Sequence, residues 1–306
     1  MTRMLALLFV LILATRATPA AEPEVVVTIA PLHSLVAAVA EGGLVPRLLL
    51  DPGTSPHSHQ LRPSEARLLR QADMIVRVGP SFESFLEHVR ETAPKARVVD
   101  VLALPLPVLL SYGEGPQSGD DDHGHDAAHE AGLDPHVWLE PANAAAIARA
   151  VAEELARLDA PRARLYRHNA ETVATELEEL ARELRVRLAP WRERGFASAH
   201  DAFRYFAHAF GLRQAGAFAI DPELPAGAAR QAELRRRVAS GEIACLAVEP
   251  QFAPRAIREL AAQTGVAVAV LDPLGTGLPP GPDLYPALMR RNAEALVDCF
   301  SKGRSG

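Results

Sequence analysis

Positive charge in excess, cysteine and long apolar runs are all scarce in this 306-residue chain. A net charge of −6 gives no electrostatic basis for binding nucleic acid, so no nucleic-acid partner is expected. The apolar run Met4–Ala14 follows Arg3 and precedes the small residues Thr18, Pro19 and Ala20. It is about half the length a membrane-spanning helix needs, and the layout is that of a signal peptide over residues 1–21. No cysteine lies near the expected cleavage point, so a lipid anchor on a new N-terminal cysteine is excluded and a periplasmic location is expected. The only cysteines, Cys245 and Cys299, allow a single pairing, and an exported chain is expected to form it. Such a bridge would stabilise the fold by about 4 kcal/mol on chain-entropy grounds. Two buried free thiols are the alternative.

What is present points to two lobes. The length exceeds one ordinary core, and 48% hydrophobic residues is the composition of a folded chain. Short apolar runs recur at 25–30, 47–50, 72–79 and 96–101, alternating with helical or turn patterning, which predicts a parallel α/β sheet. Ile147, Val151, Leu155 and Leu158 fall at helical spacing and close a first lobe, 22–160. A long helix is predicted over 161–189, with Asp159 as cap, Pro161 in the first turn, and a stripe through Leu165, Val173, Leu177, Leu180, Leu184 and Leu188 ending at Pro190. It reads as a strut joining the lobes. The α/β rhythm resumes in 190–306, with strands expected at 195–200, 241–250 and 266–273 and helices at about 202–210, 254–263 and the C-terminal end. The fold class expected is therefore α/β, with two Rossmann-like lobes of parallel sheet and a ligand cleft between them. One insertion, 111–132, lacks apolar periodicity and is rich in Gly, Asp and His, so it is expected to be a flexible loop.

Four residues stand where strands or turns hand over to the next element: His57 in "GTSPHSHQ", His136 in "DPHVWLEP", His200 in "FASAHDAF" and Asp272 in "AVLDPLGT". Doubly wound lobes present such positions to a cleft. Three imidazoles and a carboxylate suit a borderline divalent cation, zinc first, with manganese or iron as alternatives. A closed four-ligand site binds without reacting, whereas an open position would permit a zinc-dependent hydrolase. His59 is expected to be exposed, and His33 to serve packing or a polar network. His88, His168 and His208 lie on helical faces with no claim to the site. His123, His125 and His129, interleaved with acidic residues, form a candidate auxiliary metal-collecting loop.

The segments "GTSPHSHQLRPSEARLLRQADMIVRVG", "DPHVWLEPANA", "SAHDAFRYFAHAFGL", "CLAVEPQFAPRAIREL" and "LDPLGT" together resemble the metal-specific solute-binding proteins of ABC transporters, and among them the periplasmic zinc-uptake type. The resemblance runs from about Val25 to Phe300. It implies two α/β lobes on one long backbone helix, a Zn2+ ion in the interlobe cleft, and delivery to an inner-membrane permease coupled to a cytoplasmic ATPase. The family's histidine ligands fall on His57, His136 and His200, and its carboxylate ligand on Asp272. Matching cysteines are bridged in zinc-type members. Some relatives carry glutamate directly before the first histidine, where this chain has Pro56. The function expected is capture of zinc without chemistry, by a monomer whose lobes move only slightly on metal release.

Overall fold

The structure is a computed structural model that describes residues 22–112, 132–219, 227–252 and 254–302. The expected signal segment 1–21 and the loop histidines His123, His125 and His129 lie outside the described residues. In the first half, β1 (Val25–Val27), α1 (Ala30–Ala40), β2 (Arg47–Leu48), α2 (Pro63–Gln71), β3 (Met74–Arg77), α3 (Val89–Thr92) and β4 (Arg97–Asp100) build a parallel sheet of order β2-β1-β3-β4. Val27 aligns with Leu48 on one side and Val76 on the other. Val25 to Val27 have no exposed surface, as a strand covered on both faces requires.

Next come α4 (Pro141–Leu158) and α5 (Ala163–Leu188). The second half holds β5 (Gly195–His200), α6 (Arg204–Phe210), β6 (Arg213–Ala219), α7 (Ala228–Ala239), β7 (Ile243–Val248), α8 (Arg255–Thr264), β8 (Ala267–Val270) and α9 (Leu284–Lys302). Its sheet is again parallel, of order β6-β5-β7-β8, which repeats the topology of the first. The strand β6 and the helix α7 are additions to the sequence reading: "RQAGAFA" has no β-branched residue and carries an internal glycine, so it gives little strand signal.

The 26 residues of α5 span about 39 Å. Its buried stripe runs through Val173, Leu177, Leu180, Leu184 and Leu188 as expected, but Tyr166 takes the first position in place of Leu165. Asp159 does not cap α5. It ends α4, and its carboxylate accepts hydrogen bonds from Tyr166 Oη (2.6 Å) and Arg162 Nη1 (2.8 Å), which ties the end of α4 to the first turns of α5.

The lobes share a core. One apolar cluster extends from Val26 and Val76 in the first sheet through Leu177 and Leu184 of α5 to Ala247 and Leu296 in the second half. A smaller cluster, including Phe218, Leu246 and Ile257, involves α7 and α8. Polar contacts tie the halves further: Ser34 Oγ donates to the Pro282 carbonyl (2.7 Å), Tyr285 Oη to the Trp138 carbonyl (2.7 Å), and Trp138 Nε1 to the Pro273 carbonyl (2.9 Å). Cys245 on β7 and Cys299 on α9 form the expected disulfide across 54 residues.

Candidate metal centre

In both sheets the strand order reverses direction between the first and third strands, and such a switch point opens a crevice at the carboxyl ends of the two strands. His200 is the last residue of β5 and Glu249 directly follows β7, its neighbour at the switch point of the second sheet. From the first half, the loop after β2 brings His57, and the turn before α4 brings His136. The loop bearing His57 presses against the second half: a Cβ at Gly53 would lie 2.9 Å from the Thr276 side chain, and φ there is +97°. Between the halves lies a cleft of about 300 Å³, with the three histidines among Phe82, Phe252, Pro56, Pro273 and Leu274.

His57, His136 and His200 present ring nitrogens that all lie within 4.8 Å of one another. His136 and His200 are buried, and their Nε2 atoms are 3.3 Å apart. Two nitrogens on one tetrahedral zinc, each bonded at about 2.0 Å, are separated by about 3.3 Å.

The other ring nitrogen of each buried histidine is committed to a carboxylate. His136 Nδ1 meets Asp134 Oδ1 at 2.8 Å, and the same oxygen accepts from the His136 backbone N–H at 2.9 Å, closing a tight Asp-Pro-His turn. His200 Nδ1 meets Glu249 Oε1 at 2.7 Å. A carboxylate only accepts, so Nδ1 carries the proton and Nε2 presents its lone pair to the cleft. Two lone pairs facing each other at this separation repel unless a proton or a cation lies between them.

The electrostatics set the two metal-free rings apart. Burial, together with the charge of His200, holds the His136 imidazole well below the ordinary histidine range. At His200 burial pulls in the same direction, but the charge and hydrogen bond of Glu249 outweigh it and raise the imidazole. Burial also pushes the Asp134 carboxyl up to about 7, against the backbone hydrogen bond from His136. The ring of Phe82 meets those of His57 (4.8 Å between centroids) and His136 (5.5 Å) in T-shaped contacts, so the site has an apolar wall as well.

Asp272 is not brought into the histidine group. It is buried, but Oδ1 accepts from Gln251 Nε2 (3.0 Å) and the Leu274 N–H (2.9 Å), while Oδ2 accepts from Arg291 and the Thr276 N–H. Among the described residues no carboxylate joins the three imidazoles. His59 differs from the exposed residue expected: its side chain is tucked against Phe85 and bonds Glu65 Oε2 at 2.8 Å. His33 is buried with its ring bonded to the Pro46 carbonyl, as a polar-network residue should be. His208 pairs with Glu140 across the halves, a contact no helical-face reading anticipates. Asp134 and Glu249 are the partners of the buried histidines that the sequence reading missed. Asp134 has a local signal, since Asp-Pro-His invites a side-chain-to-backbone turn, whereas Glu249 meets a residue 49 positions away.

A family model described as zinc-uptake complex component A, periplasmic (ZnuA) matches residues 25–299. The high-affinity zinc uptake system protein ZnuA of Brucella suis biovar 1 (strain 1330) is 35% identical, covering 91% of this chain and 92% of its own length. The Yersinia pestis protein of that name is 32% identical, with 92% of each covered. Among solved structures, a crystal structure of ZnuA has a TM-score of 0.74 at 23% identity, covering 91% of this chain and 99% of that one. The periplasmic zinc binding protein TroA from Treponema pallidum has a TM-score of 0.75 at 23% identity, with the same coverage, and both show a shared fold.

Proposed function

This chain belongs to the ZnuA family of periplasmic zinc-uptake components, and from that premise we propose that it captures one Zn2+ ion among His57, His136 and His200 for delivery to an ABC importer. It is a binding component and not an enzyme, so the hydrolase alternative is set aside. The observation that carries the assignment of the site is the facing Nε2 pair of His136 and His200 at 3.3 Å, each with its Nδ1 committed to a carboxylate.

The imidazoles supply affinity without charge. Asp134 and Glu249, one hydrogen bond behind the ligands, offset the two positive charges of the ion and hold the rings in the ligating tautomer. Among the described residues no carboxylate joins the group, which favours zinc over manganese, since manganese takes oxygen donors more readily. Zinc-uptake components of this family work with a membrane permease and its ATPase. We propose further that the chain acts as a monomer, with lobes 22–160 and 190–306 framed by the helix 161–189. The shared core and the Tyr285–Trp138–Pro273 contacts support a small change of shape on release.

Native mass spectrometry of the metal-stripped mature protein, titrated with zinc against excess manganese, tests this reading. One zinc held per chain and not displaced is the expected result. Preferential retention of manganese, or no tightly held ion, would sink it.

A further inference from the structure

Three imidazoles leave one position of a tetrahedral zinc to be filled. Asp272 is the obvious oxygen donor on sequence grounds, but its carboxylate is saturated by Gln251, Arg291 and two backbone N–H groups, and it stands outside the histidine group. Glu249 Oε1 is committed to His200. Among the described residues that line the cleft, Gln251 carries a buried acceptor without a partner. Gln251 lines the cleft beside Phe252 and Pro273, and its Nε2 donates to Asp272 Oδ1 (3.0 Å) and Thr276 Oγ1 (2.7 Å). Those bonds settle which way round the amide sits, because a reversed amide would set an oxygen against the Asp272 carboxylate. Gln251 Oε1 is consequently fixed in place, is shielded from bulk solvent, and has no hydrogen-bond partner among the described residues. A buried carbonyl-type oxygen left unpaired is costly, so such a group in a binding cleft signals a partner that arrives with the ligand.

We propose that Gln251 Oε1 is the acceptor for a water molecule that completes the coordination of the captured ion. This rests on the zinc-capture reading above. Asp272 then acts at one remove: with Thr276 it holds the carboxamide so that the oxygen is pre-positioned, and the expected fourth ligand becomes the anchor of the residue that takes its place. The carboxamide is neutral, so the water it holds adds no charge to the site.

The test is zinc affinity by chelator competition for the wild type and for Gln251→Leu, Gln251→Glu and Thr276→Val. Gln251→Leu removes the acceptor and is expected to bind one zinc about tenfold more weakly. Gln251→Glu keeps an oxygen acceptor and, although it gives up the donor to Asp272, is expected to bind more tightly than Gln251→Leu and at least as tightly as Thr276→Val, which loses one of the two anchors of the carboxamide and is expected to stay within about threefold of the wild type. A purely structural role for Gln251 predicts another order. Glutamate beside Asp272 adds like-charge repulsion, so Gln251→Glu would be the weakest binder and Thr276→Val would fall with Gln251→Leu. That order, or unchanged affinity in Gln251→Leu, overturns the inference while zinc capture stands. Should the leucine variant not fold, the glutamate and valine variants still decide between the two orders. Failure of the wild type to hold zinc would overturn the functional reading and this inference together, and shows before any substitution is made.

Discussion

The two sheets share one strand order, yet their switch points are put to different uses. In the first sheet Thr28 follows β1, and Glu83 reaches back to the end of β3; Glu83 accepts from the Thr28 hydroxyl and from the backbone N–H groups of Val78 (3.2 Å) and Gly79 (2.9 Å). Every acceptor there is met from within the lobe. In the second sheet the equivalent ends carry His200 and Glu249, whose hydrogen bond leaves one imidazole nitrogen facing the cleft. The same backbone device therefore gives a sealed structural plug in one lobe and half of the proposed metal site in the other. The difference lies in whether the strand-end residue has a second polar atom left over. Threonine beside glutamate has none, and histidine beside glutamate has one.

The second lobe is also the one with a covalent staple. Replacing Cys245 and Cys299 together by serine should cost about 4 kcal/mol of stability in urea unfolding of the metal-free protein, with zinc affinity unchanged within about threefold. A large affinity loss would mean that the staple positions His200. His200→Ala removes a ligand and should weaken zinc binding about 100-fold or more in chelator competition, since one of four ligand positions carries about 3 kcal/mol of a typical structural site. Glu249→Gln should weaken it about 10- to 100-fold, as loss of a partner behind a ligand generally does. The counterpart change in the first lobe, Thr28→Val, should lower stability by about 1 kcal/mol and leave zinc affinity within about twofold. An affinity loss as large as that of Glu249→Gln would erase the distinction between the two switch points.

Acidity separates them as well. Folding raises the Glu83 carboxyl from 4.5 to about 7, chiefly through burial, so the folded state favours its protonated form. Its contribution to stability is complete below pH 4.5 and is lost as the pH rises through about 7. The thermal midpoint of the metal-free protein should therefore carry a downward slope across that range, and Glu83→Gln should flatten it. Zinc affinity runs the other way. Protons compete for His200, whose imidazole is raised by Glu249, so binding measured by competition should weaken as the pH falls below neutral.

Much of this was legible in the residues. Apolar runs such as "VVV" and "MIVR" mark the central strands because both faces are buried, and the leucine stripe of α5 marks the long helix. The three histidines could be picked out because strand ends in doubly wound sheets point at a cleft. What stayed hidden depended on partners distant in sequence. Asp272 looks like a ligand until Arg291 and Gln251 close around it, and Glu249 looks like an ordinary strand-end acid until β5 and β7 pair. The strand β6 escaped because its small residues pack well at a sheet edge but have no strand preference of their own.

Crystals of the zinc-loaded protein, with anomalous scattering recorded on both sides of the zinc absorption edge, would locate the bound ion and its ligands. A single strong zinc peak bonded to Nε2 of His136 and of His200 and to a ring nitrogen of His57 is the expected result. A principal peak elsewhere, or one that leaves His136 and His200 unligated, would contradict it.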